Sequence, residues 1–278
     1  MITRQNKPII FSPPRSLELP NFAELWNYKD LLFFLTIRDL KVRFQQTFIG
    51  VFWIILQPLI QMLIFTAIFG VFAKIPTNGI PYSVFFLSGY VVWQLFSQII
   101  NTSGFSMVAN IGVIIKSYFP RLALPLSSVL SSLIDFVIAF LLLMVFLIIN
   151  HFPITWRYLL IPVLLIITTI FASGVGMLFG ALMVVFRDTK NLLGFVLTIW
   201  MYVTPVMYPL SVVPEKYRPF LYLNPLTSLV ETFRWVFLHS DTFPSWQNLI
   251  ISLIVAIVLW FLGAVAFRSM ENKIADVM

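Results

Sequence analysis

IGVFWIILQPLIQMLIFTAIFGVFA, residues 49–73, runs for 25 positions without a charged side chain. A helix needs about 20 mostly apolar residues to cross a hydrocarbon core of about 30 Å, so this stretch is long enough to span a bilayer by itself. Five more stretches share its character: residues 82–101, 127–149, 159–186, 192–213 and 249–267. The second and fifth of the six are interrupted, by Gln94 and Gln98 and by Thr204 and Pro205. The expected fold class is therefore an all-α integral membrane protein with six transmembrane helices. Composition agrees, with 60% hydrophobic and 10% charged residues. Soluble domains carry about 25% charged residues, so a chain this apolar cannot cover itself for water.

Six spans put both ends on one side, and loop charges say which. With both ends cytoplasmic, the inner segments carry thirteen Lys and Arg against five outside, namely Lys74, Arg157, Lys216, Arg218 and Arg234. Basic residues accumulate on cytoplasmic loops, so both termini are expected inside. The net charge of +7 reads as topology rather than as a footprint for nucleic acid. The first 20 residues are polar and broken by Pro8, Pro13, Pro14 and Pro20, with no apolar signal core. The chain is expected to keep its N-terminus and to insert by its first span.

Three stretches outside the spans carry pattern. In ELWNYKDLLFFLTIRDLKVRF, residues 24–44, Phe33, Ile37, Leu40 and Phe44 fall at helical spacing, with Arg38 and Lys41 on another face. That predicts an amphipathic helix at the membrane interface, serving as an anchor or meeting lipid headgroups or a partner. IKSYFPRLALP, residues 115–125, sets Tyr118 and Phe119 beside Lys116 and Arg121, with Pro120 and Pro125 limiting regular helix. This basic aromatic knob suits either a cytoplasmic partner or the aromatic belt of the membrane. Residues 210–248 are too apolar for an exposed loop but hold only a short helix, with Glu231 and Arg234 at i, i+3 spacing. A re-entrant or interfacial element is expected there, tolerated at depth only where protein or a water cavity covers its backbone.

Several chemistries are excluded. The chain has no cysteine, its two histidines, His151 and His239, lie far apart, and acidic residues do not cluster around them. There is no GxxxxGK[ST] loop. The glycines of GVGMLFG, residues 174–180, lie inside a span, where Gly176 and Gly180 permit close helix packing. Asp135 is the one acid within an expected span. Intramembrane acids are costly, and the reading favoured here is that water or a basic residue reaches this one near the cytoplasmic end. Aromatic residues make up 17% of the chain, including Phe52, Trp53, Tyr90, Trp93, Trp200, Tyr202 and Tyr208 within spans. They suit lipid contact and helix packing, and also stacking on sugar rings in a channel.

Four segments carry a family resemblance: RDLKVRFQQTFIGVFWIILQPL (38–59), IKSYFPRLALPLSSVLSSLIDF (115–136), FRDTKNLLGFVLTIWMYVTPVMYP (186–209) and YLNPLTSLVETFRW (222–235). Their order and spacing resemble the membrane subunit of type-2 ABC polysaccharide exporters, the Wzm-like O-antigen and teichoic-acid permeases. The resemblance covers the chain from about residue 22 onward. It implies a homodimer served by two copies of a separate ABC ATPase, with no cofactor on this chain and with ATP and Mg on the partner. It implies a cytoplasmic tail at 1–21, a gate helix at 22–45 and a transmembrane domain at 46–278. It also implies an ATPase-coupling loop of Lys116, Tyr118, Phe119, Pro120 and Arg121. The substrate would be a polyprenyl-diphosphate-linked glycan crossing the bacterial inner membrane. Arg38, Lys41 and Arg43 are candidates for its diphosphate, or are topogenic charges only. Alternatives are a type-2 exporter of lipid or drug, a membrane-embedded glycolipid enzyme, and an ion-coupled carrier. The enzyme would need partners for Asp39 or Asp188, and the carrier would need more buried ionisable groups.

Overall fold

A computed structural model describes residues 28–45, 50–116, 119–186, 188–239 and 243–276. The expected tail at 1–21 and Tyr118 lie outside them. Among the described residues every regular element is helical. In chain order α1 is Lys29–Phe44, α2 spans Gly50–Phe72, α3 is Tyr82–Ala109, and α4 is Ile111–Lys116. They are followed by α5 (Ala123–Ile149), α6 (Ile161–Val185), α7 (Thr189–Val203), α8 (Arg218–Tyr222), α9 (Pro225–Leu238) and α10 (Trp246–Asp276).

Five helical stretches are long and apolar enough to cross a membrane: α2, α3, α5, α6 with the short turn before it, and α10. Their hydropathy follows their neighbours. The α3 helix has the lowest mean hydropathy of the five, 1.4, and is 78% buried inside the chain, whereas α5 at 3.0 is 33% buried. Lipid demands an apolar surface, and a helix encased by other helices does not. Gln94 and Gln98, which interrupt the pattern in sequence, thus sit on the central helix of the bundle, packed by α2, α5, α6 and α9.

The fifth expected span, 192–213, is not one long helix. α7 has 15 residues and stops before Thr204, whose backbone is extended at ψ 136° ahead of Pro205. The proline ring disfavours helical geometry at the residue before it. The chain nevertheless continues along α3. Leu193 lies beside Gly104, Trp200 packs edge-on to Phe96 at 5.0 Å, and the Tyr82 hydroxyl donates to Met207 O at 2.6 Å. Residues 189–207 therefore run from near the last turns of α3 back to its first residue, partly as helix and partly extended.

The tightest packing is glycine-mediated. A Cβ on Gly263 of α10 would lie 2.3 Å from Gly174 O of α6, and one on Gly174 would lie 2.6 Å from Trp260 Cα. On the same helix, Gly176 faces the Ile100 backbone of α3, and Gly180 faces Gly104 O and the Phe267 ring. The glycine run is a packing surface, as its sequence suggests.

Candidate functional site

Two polar constructions stand at opposite ends of the bundle. At the α1 end, Arg43 forms an ion pair with Asp135 of α5. Arg43 Nη2 also reaches Ser131 Oγ at 3.4 Å, and Gln98 Nε2 donates to Asp135 Oδ2 at 3.3 Å. The buried acid thus has the basic partner expected of it. Five residues earlier, Arg38 bridges Asp39 Oδ1 at 2.7 Å and Asn110 Oδ1 at 2.5 Å, and Ser127 Oγ donates to Asp39 Oδ2 at 3.4 Å. These bonds stitch α1 to α3 and α5. Of the three candidate diphosphate contacts, Arg38 and Arg43 are engaged with protein carboxylates and Lys41 is exposed.

Leu35 and Thr36 are buried, while Phe33 and Phe34 point outward at 68% and 65% exposure. The inward face is chosen by what α5 offers, a row of serines and an aspartate, as well as by hydrophobicity. The outward phenylalanines are free for lipid.

The loop after α4 also corrects an expectation. Phe119 is not a projecting knob: it is 7% exposed and lies in an apolar cluster with Leu35 of α1, Met107 of α3, Met177 of α6 and Phe267 of α10. Lys116 ends α4, and Pro120 O accepts from Ala123 N at 2.9 Å as α5 begins. Arg121 is half-buried in that turn.

The candidate channel aromatics divide into three sets. Tyr90 and Trp93 are buried in the chain's own core, Tyr90 stacked on Phe86 at 5.2 Å. Phe52, Trp53 and Tyr202 are exposed at 74%, 50% and 56%, on α2 and α7. Trp200 is pinned by Asn224, and the Tyr208 hydroxyl donates to Tyr202 O at 3.1 Å. No single surface of one chain gathers all seven.

At the other end stands a site that sequence reading missed. Arg234 is 4% exposed. Its Nη1 donates to Pro205 O at 2.5 Å and to Glu231 Oε1 at 3.1 Å, and its Nη2 donates to Val206 O at 2.6 Å. The guanidinium lies over the Phe85 ring at 3.8 Å and against Gly89, where a Cβ would come within 2.7 Å of Nη2. Nearby, Asn224 caps α9, accepts from Trp200 Nε1 at 3.0 Å and donates to Thr204 Oγ1 at 2.9 Å. Arg234 and Tyr82 together supply the donors for the carbonyls of the non-helical 205–207 turn. Bare backbone at membrane depth requires such partners. In sequence Arg234 counted only as an outer charge with a local Glu231 partner; the pair is real, but it is buried. The available signal was an arginine in the otherwise apolar PLTSLVETFRWVFL, just downstream of the Thr204–Pro205 break.

The chain is similar to known transport proteins over nearly its whole length. The family model of the ABC-2 type transporter matches residues 30–238. The O-antigen export system permease protein RfbA of Klebsiella pneumoniae is 30% identical over 251 residues, 90% of this chain and 95% of that one. RfbA of Myxococcus xanthus is 29% identical over 256 residues, covering 91% and 97%. The polysialic acid transport protein KpsM of Escherichia coli is 26% identical over 244 residues, covering 86% and 92%.

Proposed function

The chain belongs to the ABC-2 type transporter membrane family, and from that premise we propose that it is the permease through which a bacterial cell exports a lipid-linked surface polysaccharide. It is a transport component rather than an enzyme. The observation that carries the reading is the end-to-end match to permeases for two different glycans, O-antigen and polysialic acid. ATP and Mg would bind on a separate ATPase, and two copies of each subunit would assemble in the inner membrane. With residues 189–207 as a sixth crossing, both termini would be cytoplasmic, in keeping with the thirteen-to-five split of basic residues. In that frame the α1 end faces the ATPase, and α9 is the re-entrant element on the outside.

The geometry suggests how the parts cooperate. The loop from Lys116 to Arg121 would receive the ATPase stroke and pass it to α1 through Phe119 and Leu35. Arg43 and Asp135 would hold α1 against α5 between strokes. An arriving lipid diphosphate would compete with the carboxylates for Arg38 and Arg43 and find Lys41 already exposed. Phe52, Trp53 and Tyr202, exposed on one chain, would face a passage shared by two copies and offer sugar rings flat apolar surfaces.

Co-expression with the neighbouring ATPase tests this reading. A complex with equal numbers of the two subunits, whose ATP turnover falls when Tyr118 is replaced by Ala, supports it. A chain that purifies alone and ignores every ATPase offered refutes it.

A further inference from the structure

At the α9 end the chain forms a partly open cavity of about 410 Å³ that none of the roles above uses. Pockets that hold small organic ligands measure about 300–1,000 Å³. The residues that matter here are Glu231 and Arg234, with Tyr222, Asn78, Ser211 and Ser245. Arg234 is almost fully buried, and its Nε has no hydrogen-bond partner although Nη1 and Nη2 are both used. The Glu231 carboxylate, paired with Arg234 through Oε1, also lines the cavity and can accept hydrogen bonds from a guest.

The lining selects the class of guest. Among the described lining residues the one cation is already neutralised by Glu231 at 3.1 Å, which disfavours an anion such as a phosphate. The one described carboxylate is too few ligands for a metal. Hydroxyl and amide groups interrupt the apolar lining, which disfavours an acyl chain. What fits is an uncharged polyhydroxylated ring, with hydroxyls to donate to Glu231 and a C–H face for the Tyr222 ring. We propose that this cavity is a sugar-binding subsite, in which one or two residues of the exported glycan rest after crossing, so that the chain does not slip back while the ATPase resets. The proposal rests on the exporter reading above.

The test uses the full complex with its ATPase, and as probe a radiolabelled oligosaccharide of two to four sugars cut from the cell's own surface glycan. Ser211→Trp and Ser245→Trp each fill the cavity from its lining, and both positions are exposed, so the fold tolerates them. Elution profile and melting temperature are checked against wild type. Saturable binding to wild type that weakens at least about tenfold in both variants supports the subsite. Absence of saturable binding to wild type overturns it, and so does equal binding by both variants. A separate arm asks whether deleting the chain strands glycan inside the cell. If export is lost on deletion while binding ignores both tryptophans, the subsite fails and the exporter reading stands. If deletion leaves export intact, the exporter reading itself fails.

Discussion

Gly263→Ala should separate two helices that now touch through backbone. The new Cβ would sit 2.3 Å from Gly174 O and 3.0 Å from Gly174 C. Neither atom is a side chain that can swing aside, so α6 and α10 must part by roughly 1 Å at their crossing to restore ordinary contact. Overpacking of this kind costs about 1–3 kcal/mol. The better helix propensity of alanine returns only about 0.5–1 kcal/mol. Gly174→Ala should match it, because its Cβ meets Trp260 N and Cα at 2.6 Å. Gly176→Ala should be milder: its closest obstacle is the Ser103 hydroxyl, which can rotate, and the Ile100 backbone stands off at 3.2 Å. Gly194→Ala, with nothing within 4 Å, should be neutral or slightly stabilising in the single chain. Melting of the four variants in detergent, followed by size-exclusion of heated samples, gives the ranking. If Gly263→Ala and Gly174→Ala melt at or above wild type, the close α6–α10 approach is wrong.

Three further experiments probe the two polar constructions and His239. Arg43→Met should destabilise by about 1–3 kcal/mol, less than for a fully buried pair because Arg43 is partly exposed, and adding Asp135→Asn should recover part of the loss; a double-mutant cycle in thermal melts reads the coupling. Arg234→Met should cost about 3–5 kcal/mol and reduce the yield of folded chain, while Arg234→Lys falls between, since an ammonium cannot reproduce the fork across Pro205 O, Val206 O and Glu231; yield of monodisperse protein is the measure. Burial and the nearby Arg157 charge hold the His239 imidazole below its ordinary value, with Nε2 on Pro153 O at 2.5 Å and Nδ1 buried without a partner. The unfolded chain therefore takes up this proton first, so stability falls as pH drops below the usual histidine value of about 6.5. Between about pH 7.5 and 5.5 wild type should lose more melting temperature than His239→Asn, whose residue also suits the positive φ there; equal losses would remove His239 from the account.

The sequence announces its spans wherever lipid is the neighbour. Residues 127–149 and 249–267 read as spans at once because the rest of the chain leaves most of α5 and α10 uncovered, and such a surface must be apolar to meet lipid. Residues 82–101 read less clearly for the reason that makes α3 central: its surroundings are protein, and protein tolerates Gln94 and Gln98. The break in α7 is legible as Thr204–Pro205, but its consequence is not. Only the fold brings Arg234, 29 residues later, onto the freed carbonyls. The same holds for Asp135, whose need for a basic partner is readable while the choice of Arg43, 92 positions away, is not. Phe119 shows the opposite error. An aromatic beside basic residues looks like a surface feature, and its inward turn depends on a pocket built by four other helices.

The most direct test of the exporter reading is where the glycan accumulates. Cells lacking the chain, with the ATPase and the glycan-synthesis enzymes intact, should hold lipid-linked polysaccharide on the cytoplasmic face, out of reach of a glycosidase added from outside. Restoring the chain should return the polymer to the surface and to that glycosidase. Polymer that reaches the surface in the chain's absence, or synthesis that stops altogether without it, would contradict a permease and return the enzyme reading to consideration.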